Sequence, residues 1–198
     1  ALDLAEVMFS PGNKAERTRM GEVVREGERV LDMFAGVGYF ALPMVRAGAS
    51  VTAVERNPTA FRYLAENAQL NGVAERVSCM LGDCREYEVT EPFDRVVMGY
   101  YDSLGSHGSG DGGSERDDES DGARSDYLAA AFDALGGAGV VHVHTTCPED
   151  RFPARAVERV RAIADEYGVD VSGVESRVVK SHSEGVVHGV LDVVVGDG

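Results

Sequence analysis

The chain has 198 residues, enough for one domain with a substantial core. It holds no apolar run of membrane-spanning length and no signal-peptide pattern. Its net charge of −15 makes it an unusual nucleic-acid partner. Cys79, Cys84 and Cys147 are odd in number and lack zinc-type spacing, so neither a disulfide framework nor a bound metal is expected, and a reducing cytoplasm fits. The basic residues are almost all arginine, with Lys14 and Lys180 the only lysines. An acidic, lysine-poor surface stays hydrated in concentrated salt, which points to a proteome adapted to high salt. At molar salt the Debye length is about 3 Å, so the negative total does not exclude an RNA partner in such a cell.

The chain opens at Ala1 in what reads as mid-domain sequence, so residues 1–20 are expected to be a linker and helix following a missing N-terminal part. Ser10-Pro-Gly-Asn13 forms a turn, and a helix runs from Lys14 to Val24 with Glu16, Arg17 and Arg19 in its first turns. Val30 to Phe34 reads as a short buried strand ending in the turn Ala35-Gly-Val-Gly38, before an apolar helix over Tyr39 to Ala47. Gly36 and Gly38 let a ligand approach the backbone, and the helix start offers N–H groups to a polar one. Asp32 is the odd residue in an otherwise apolar strand.

A second strand, Ser50 to Glu55, also ends in an acid. Asn57 caps the next helix with Pro58 at its first position. That helix reaches about Leu70, with Phe61, Leu64, Ala65 and Ala68 on one face, and Asn71-Gly72 stops it. Arg76 to Leu81 is a third strand, with Gly82-Asp83-Cys84-Arg85 at its polar end, and Phe93 to Met98 is a fourth. Residues 105–126 are acidic and of low complexity, with too little apolar surface to offset ordering, so a disordered insertion is expected there. A helix over Tyr127 to Leu135, a strand over Gly139 to His144 and a helix over Arg155 to Tyr167 follow. Val169 to Val179 and Val186 to Val195 then form a terminal hairpin about His182 to Gly185, whose last strand must run antiparallel to its partner. The fold class is therefore α/β, a doubly wound, mostly parallel seven-stranded sheet of Rossmann-like type with a C-terminal antiparallel hairpin. Residues 21–198 make one cofactor-binding catalytic domain.

Gly36-x-Gly38-x-x-Ala41 matches the dinucleotide fingerprint, with Glu55 at the spacing that holds a ribose. Three features favour S-adenosylmethionine over a nicotinamide cofactor. Asp32 precedes the glycine turn, where an acid repels a pyrophosphate but not a sulfonium amino acid. Asp83 ends the third strand, where its carboxylate or the neighbouring backbone can take the adenine amino group. The terminal hairpin suits the S-adenosylmethionine-dependent methyltransferase fold.

The segments Asp-Met-Phe-Ala-Gly-Val-Gly-Tyr-Phe, Val-Glu-Arg-Asn-Pro, Gly-Asp-Cys-Arg, Asp-Arg-Val-Val-Met-Gly-Tyr and Val-His-Val-His together resemble one family. It comprises the archaeal and eukaryal tRNA enzymes that modify the guanosine 3′ to the anticodon. One branch methylates guanine N1; the other transfers a 3-amino-3-carboxypropyl group in wybutosine synthesis. The methylating branch ends its fourth strand in Asn-Leu-Pro, where this chain has Met98-Gly99-Tyr100. Its upstream Ser-Pro-Arg-Leu is here Ser10-Pro-Gly-Asn13, as in the aminocarboxypropyl branch. Both departures favour aminocarboxypropyl transfer; guanine N1 methylation is the alternative, and a non-catalytic cofactor-binding remnant is a third. The resemblance implies that Ser10 and Arg17 meet the methionine end, with Asp32, Phe34 and Gly36 lining the cofactor. It places Glu55 on the ribose, Asp83 and the Cys84 backbone at the adenine, and Glu16 at a position proposed as general base. His142 and His144 read as core or rim histidines. A tRNA partner and a monomer, with no membrane, are expected.

Overall fold

The computed structural model describes residues 13–101, 104 and 120–196, with side chains of the helix after the insertion described from Tyr127. Ser10 and residues 105–119 of the acidic insertion lie outside the described residues. The elements are α1 (Lys14–Val23), β1 (Arg29–Asp32), α2 (Ala41–Arg46), β2 (Ser50–Glu55), α3 (Pro58–Leu70), β3 (Val77–Leu81), β4 (Arg95–Met98), α4 (Ser120–Leu135), β5 (Gly139–Pro148), α5 (Ala154–Glu166), β6 (Val171–Ser183) and β7 (Val186–Val195).

They build one seven-stranded sheet in the order β3-β2-β1-β4-β5-β7-β6. The first five positions are mutually parallel, and β7 is inserted antiparallel between β5 and β6. The central strands read as apolar runs because helices cover both faces. Met20, Met44, Leu64 and Ala68 from α1, α2 and α3 pack one face with Val30, Val51 and Val97. Leu128, Phe132, Val160 and Ile163 from α4 and α5 pack the other with Leu31, Val96 and Val141. The strand order reverses between β1 and β4, and in such sheets ligands settle at the carboxyl ends of the strands beside that reversal.

Local chemistry accounts for the boundaries. Asn57 accepts hydrogen bonds from the Thr59 and Ala60 N–H groups, so α3 starts where expected. Its buried face is Ala60, Leu64, Asn67 and Ala68, not the predicted set; Phe61 and Ala65 are only partly covered. The polar Asn67 is buried because its amide donates to the Val37 carbonyl at 3.0 Å, a tie that hydropathy alone does not reveal. β5 runs four residues past the predicted His144, since β7 pairs with it from Gly139 to Pro148 while β4 pairs only as far as Val143. α4 begins at Ser120, seven residues ahead of the predicted start and inside the stretch expected to be disordered. The hairpin loop tightens to Glu184-Gly185, with Gly185 at φ +67°.

Candidate functional site

The loop from Met33 to Phe40 leaves β1 and is held from several sides. The Ala35 N–H donates to the Val54 carbonyl at 3.0 Å, and the Gly36 N–H donates to Glu55 Oε2 at 2.8 Å. Glu55 Oε1 accepts from the Asn57 N–H at 2.7 Å. Glu55 therefore braces the turn as well as standing at the end of β2.

The two glycines of the turn serve different ends. Gly36 has φ +56°, and a Cβ there would meet nothing within 4 Å, which is the open approach a ligand needs. Gly38 has φ +90°, but a Cβ there would lie 2.8 Å from Leu42 Cγ and 3.1 Å from Leu64 Cδ1. Gly38 is a packing glycine, contrary to the expectation that both admit a ligand. Gly38→Ala should cost roughly 3 kcal/mol from left-handed backbone and overpacking together. Gly36→Ala should cost only about 1 kcal/mol. Urea unfolding of the two variants checks this difference.

Asp32 is fully buried at the end of β1. Its Oδ1 accepts from the Phe34 N–H at 3.3 Å, while Oδ2 has no hydrogen-bond partner. Burial pushes the carboxyl up to about 7, and the nearby Glu55 charge adds to this against hydrogen bonds from the Phe34 and Ala41 backbone. An orphaned buried oxygen beside an open turn fits a cationic, hydrogen-bond-donating ligand.

At the end of β3, Asp83 caps a short turn by accepting from the Arg85 N–H at 3.0 Å, and its carboxylate is paired with the Arg85 guanidinium at 2.7 Å. That hydrogen bond holds it below the usual carboxylate range. Arg85 also lies 4.5 Å over the Tyr127 ring. Burial pushes the neighbouring Cys84 thiol up to about 12, so it stays protonated. Phe34 packs between Tyr100 and Tyr127, at ring separations of 5.6 and 5.1 Å. Arg17 is exposed on α1 and sits 5.6 Å over Tyr39, beside the glycine turn.

The structure thus gathers Asp32, Phe34, Gly36 and Glu55 about one turn, with Asp83 and Cys84 at the next strand end and Arg17 alongside through Tyr39. Among the described residues no cluster of three or more His, Cys, Asp or Glu side chains is placed to hold a metal. No described helix is long and apolar enough to cross a membrane.

Residues 1–107 match the family model of the TRM5/TYW2 methyltransferase domain, more than half of the chain. The chain belongs to this family. Two TRM5/TYW2 relatives are described as tRNA(Phe) (4-demethylwyosine(37)-C(7)) aminocarboxypropyltransferases. That of Pyrococcus horikoshii is 35% identical across 97% of the chain, and that of Methanocaldococcus jannaschii is 36% identical across 96%. The chain spans 62% and 69% of their respective lengths. The crystal structure of M. jannaschii TYW2 in complex with AdoMet superposes with a TM-score of 0.83 at 35% identity, covering all of this chain and 81% of that one. The TRM5/TYW2 fold, with its antiparallel terminal hairpin, is the architecture described above.

In this TRM5/TYW2 chain one constellation escaped the sequence reading. Glu16 is buried, and both its carboxylate oxygens accept from Arg19, at 2.8 to 3.1 Å. Arg19 also donates to both oxygens of Asp192 on β7 at 3.1 Å. Arg177 pairs with Asp192 and lies 3.6 Å from Glu16. His142 Nε2 meets Arg95 at 2.6 Å and its Nδ1 meets Asp192, which fixes the neutral tautomer with the proton on Nδ1. Burial likewise lowers His142, keeping it uncharged. Burial alone would raise Asp192, but hydrogen bonds from His142 and Arg177 hold it well below the carboxylate range. Arg95 is anchored in turn by Glu28 at 2.8 Å. The available signal was an acid inside the apolar run Val-Leu-Asp-Val-Val-Val, the same oddity that marked Asp32.

Proposed function

We propose that this chain is the transferase domain of an enzyme that uses S-adenosylmethionine to modify the guanosine-derived base 3′ to the anticodon of a tRNA. The group moved is the 3-amino-3-carboxypropyl chain, as in wybutosine synthesis. The observation that carries the reading is the buried, half-satisfied Asp32 carboxylate beside the open Gly36 turn, flanked by acids at the ends of β2 and β3. The two aminocarboxypropyltransferase relatives, and Met98-Gly99-Tyr100 in place of Asn-Leu-Pro, support that branch over methylation.

S-adenosylmethionine, when bound, supplies a sulfonium with three activated carbons, and the one in line with the nucleophile is transferred. The protein's contribution is position and charge. Asp32 offers its free oxygen to the cationic methionine end, and Arg17 offers a guanidinium to the carboxylate. Ser10 joins them by resemblance. Glu55 accepts from ribose hydroxyls while bracing the Gly36 turn. Asp83 and the Cys84 backbone meet the adenine beside Phe34. Glu16 has its carboxylate committed to Arg19 and Arg177, so we assign it to anchoring α1, and with it Arg17, in place of proton abstraction. The acidic, lysine-poor composition and three free cysteines support a monomer working in the cytoplasm of a halophilic archaeon.

The test uses S-adenosylmethionine labelled separately in the methyl and carboxyl carbons, with tRNA carrying the tricyclic precursor base. The carboxyl label should enter the tRNA and the methyl label should leave in methylthioadenosine. Methyl label on unmodified guanosine, with S-adenosylhomocysteine released, would replace this reading by guanine methylation.

A further inference from the structure

A cavity of about 510 Å³ lies away from the glycine turn. It opens between α5, the end of β5 and the tip of the β6–β7 hairpin. Arg155 and Arg159 of α5 line it together with Thr146 and His182, and Glu158 is the one acidic side chain among its described lining residues. Two guanidiniums against one carboxylate is a local positive excess on a chain of net charge −15. Such a cavity is large enough for a phosphate with its sugar and has the donors to bind them.

A run of rings leads to it from the candidate cofactor site. Phe34 is 5.6 Å from Tyr100, Tyr100 is 5.6 Å from Tyr101, and Tyr101 is 5.2 Å from His182, which itself lines the cavity. Tyr100 is 43% exposed and His182 is exposed. The run is fixed from behind. The Tyr101 carbonyl accepts from the Thr146 N–H at 3.0 Å, and Gly99 lies so close to Phe40 that a Cβ would be 3.1 Å from its ring. The exposed ring of Tyr100 and the half-buried ring of Tyr101 offer edges and faces on which a flat partner can stack. A series of rings ending at paired guanidiniums matches a polymer that alternates flat bases with phosphates.

We propose that Tyr100, Tyr101 and His182 form a stacking platform for an unpaired RNA base, and that the adjoining cavity takes the backbone phosphate of a neighbouring nucleotide on Arg155 and Arg159. This rests on the tRNA-modifying reading and adds where the RNA lies on this domain. The platform begins at Phe34, so a base stacked on it is delivered to the carboxyl ends of β1 and β4.

The test measures binding of a fluorescent single-stranded RNA with an anticodon-loop sequence to the chain saturated with S-adenosylmethionine, across a salt series. Tyr100→Leu and Tyr101→Leu should each weaken binding roughly tenfold or more, while Tyr100→Phe, which keeps the ring, should bind nearly as the parent does. Arg155→Gln with Arg159→Gln should flatten the slope of log affinity against log salt by about 0.7, the loss of one neutralised phosphate on a single strand. Leucine variants that bind RNA as the parent does, or an unchanged salt slope in the double variant, would overturn the platform. So would a parent chain that takes inorganic phosphate but no RNA. Calorimetry of S-adenosylmethionine on the same samples separates the two levels: cofactor binding with unaffected RNA affinities removes the platform and leaves the transferase reading, whereas loss of cofactor binding in the parent removes both.

Discussion

Asp192→Ala should lower the stability of the protein by about 3 kcal/mol, because it leaves the buried His142 and two half-buried guanidiniums without their acceptor. Arg19, Arg177 and His142 all converge on this carboxylate, and neither guanidinium can shed its charge. The thermal midpoint should fall on the order of 10 °C for a domain of this size. Asp192→Asn should fall between variant and parent, since an amide oxygen still accepts but carries no charge. Partly buried pairs are screened little by salt, so the deficit should persist in molar salt, where exposed ion pairs such as Arg29 with Glu91 contribute almost nothing. A midpoint unchanged by Asp192→Ala would mean that water or another side chain replaces the hub.

Asp32→Asn should act in the opposite direction. The folded carboxyl is held near 7 by burial, against about 3.9 in an unfolded chain. At low pH both states are protonated and the group costs nothing. As pH rises from about 4 the unfolded state ionises while the folded state cannot, so stability is lost steadily until about pH 7. The full penalty is roughly 4 kcal/mol, and the asparagine variant does not suffer it. Urea melts of parent and variant without cofactor should coincide near pH 4 and diverge through pH 7, with the variant more stable above. The same substitution should weaken S-adenosylmethionine binding, since the charge that burdens the empty fold is the one offered to the cofactor. If the parent and variant curves stay parallel from pH 4 to 8, the buried carboxylate is not carrying this penalty.

Periodicity and end signals made most of the sheet legible. β2 and β7 begin and end where their apolar runs do, and Asn57-Pro58 and Asn71-Gly72 bracket α3. Acids at strand ends marked Asp32, Glu55 and Asp83 because an ionisable group beside an apolar run is costly without a purpose. Less legible was anything set by contacts distant in sequence. The inward turn of Glu16 rests on Arg19, which Asp192 far along the chain on β7 holds in place, and Gly38 differs from Gly36 only because Leu42 and Leu64 pack over it. The extension of β5 depends on β7, whose partner residues no local pattern identifies.

That dependence on β7 also constrains how the protein is made. It is the last of the seven strands to leave the ribosome, yet it belongs inside the sheet, bonded to β5 on one side and β6 on the other. Until residues 186–195 exist, β5 presents an open edge to any other strand in the cell, and Arg19, Arg177 and His142 wait without the carboxylate on which they converge. Vectorial synthesis can preassemble the β1–β4 half with its glycine turn. The half that ties α1 to the sheet through Asp192 closes only when the final strand slides home, so a nascent chain stalled before Val186 is a target for chaperones.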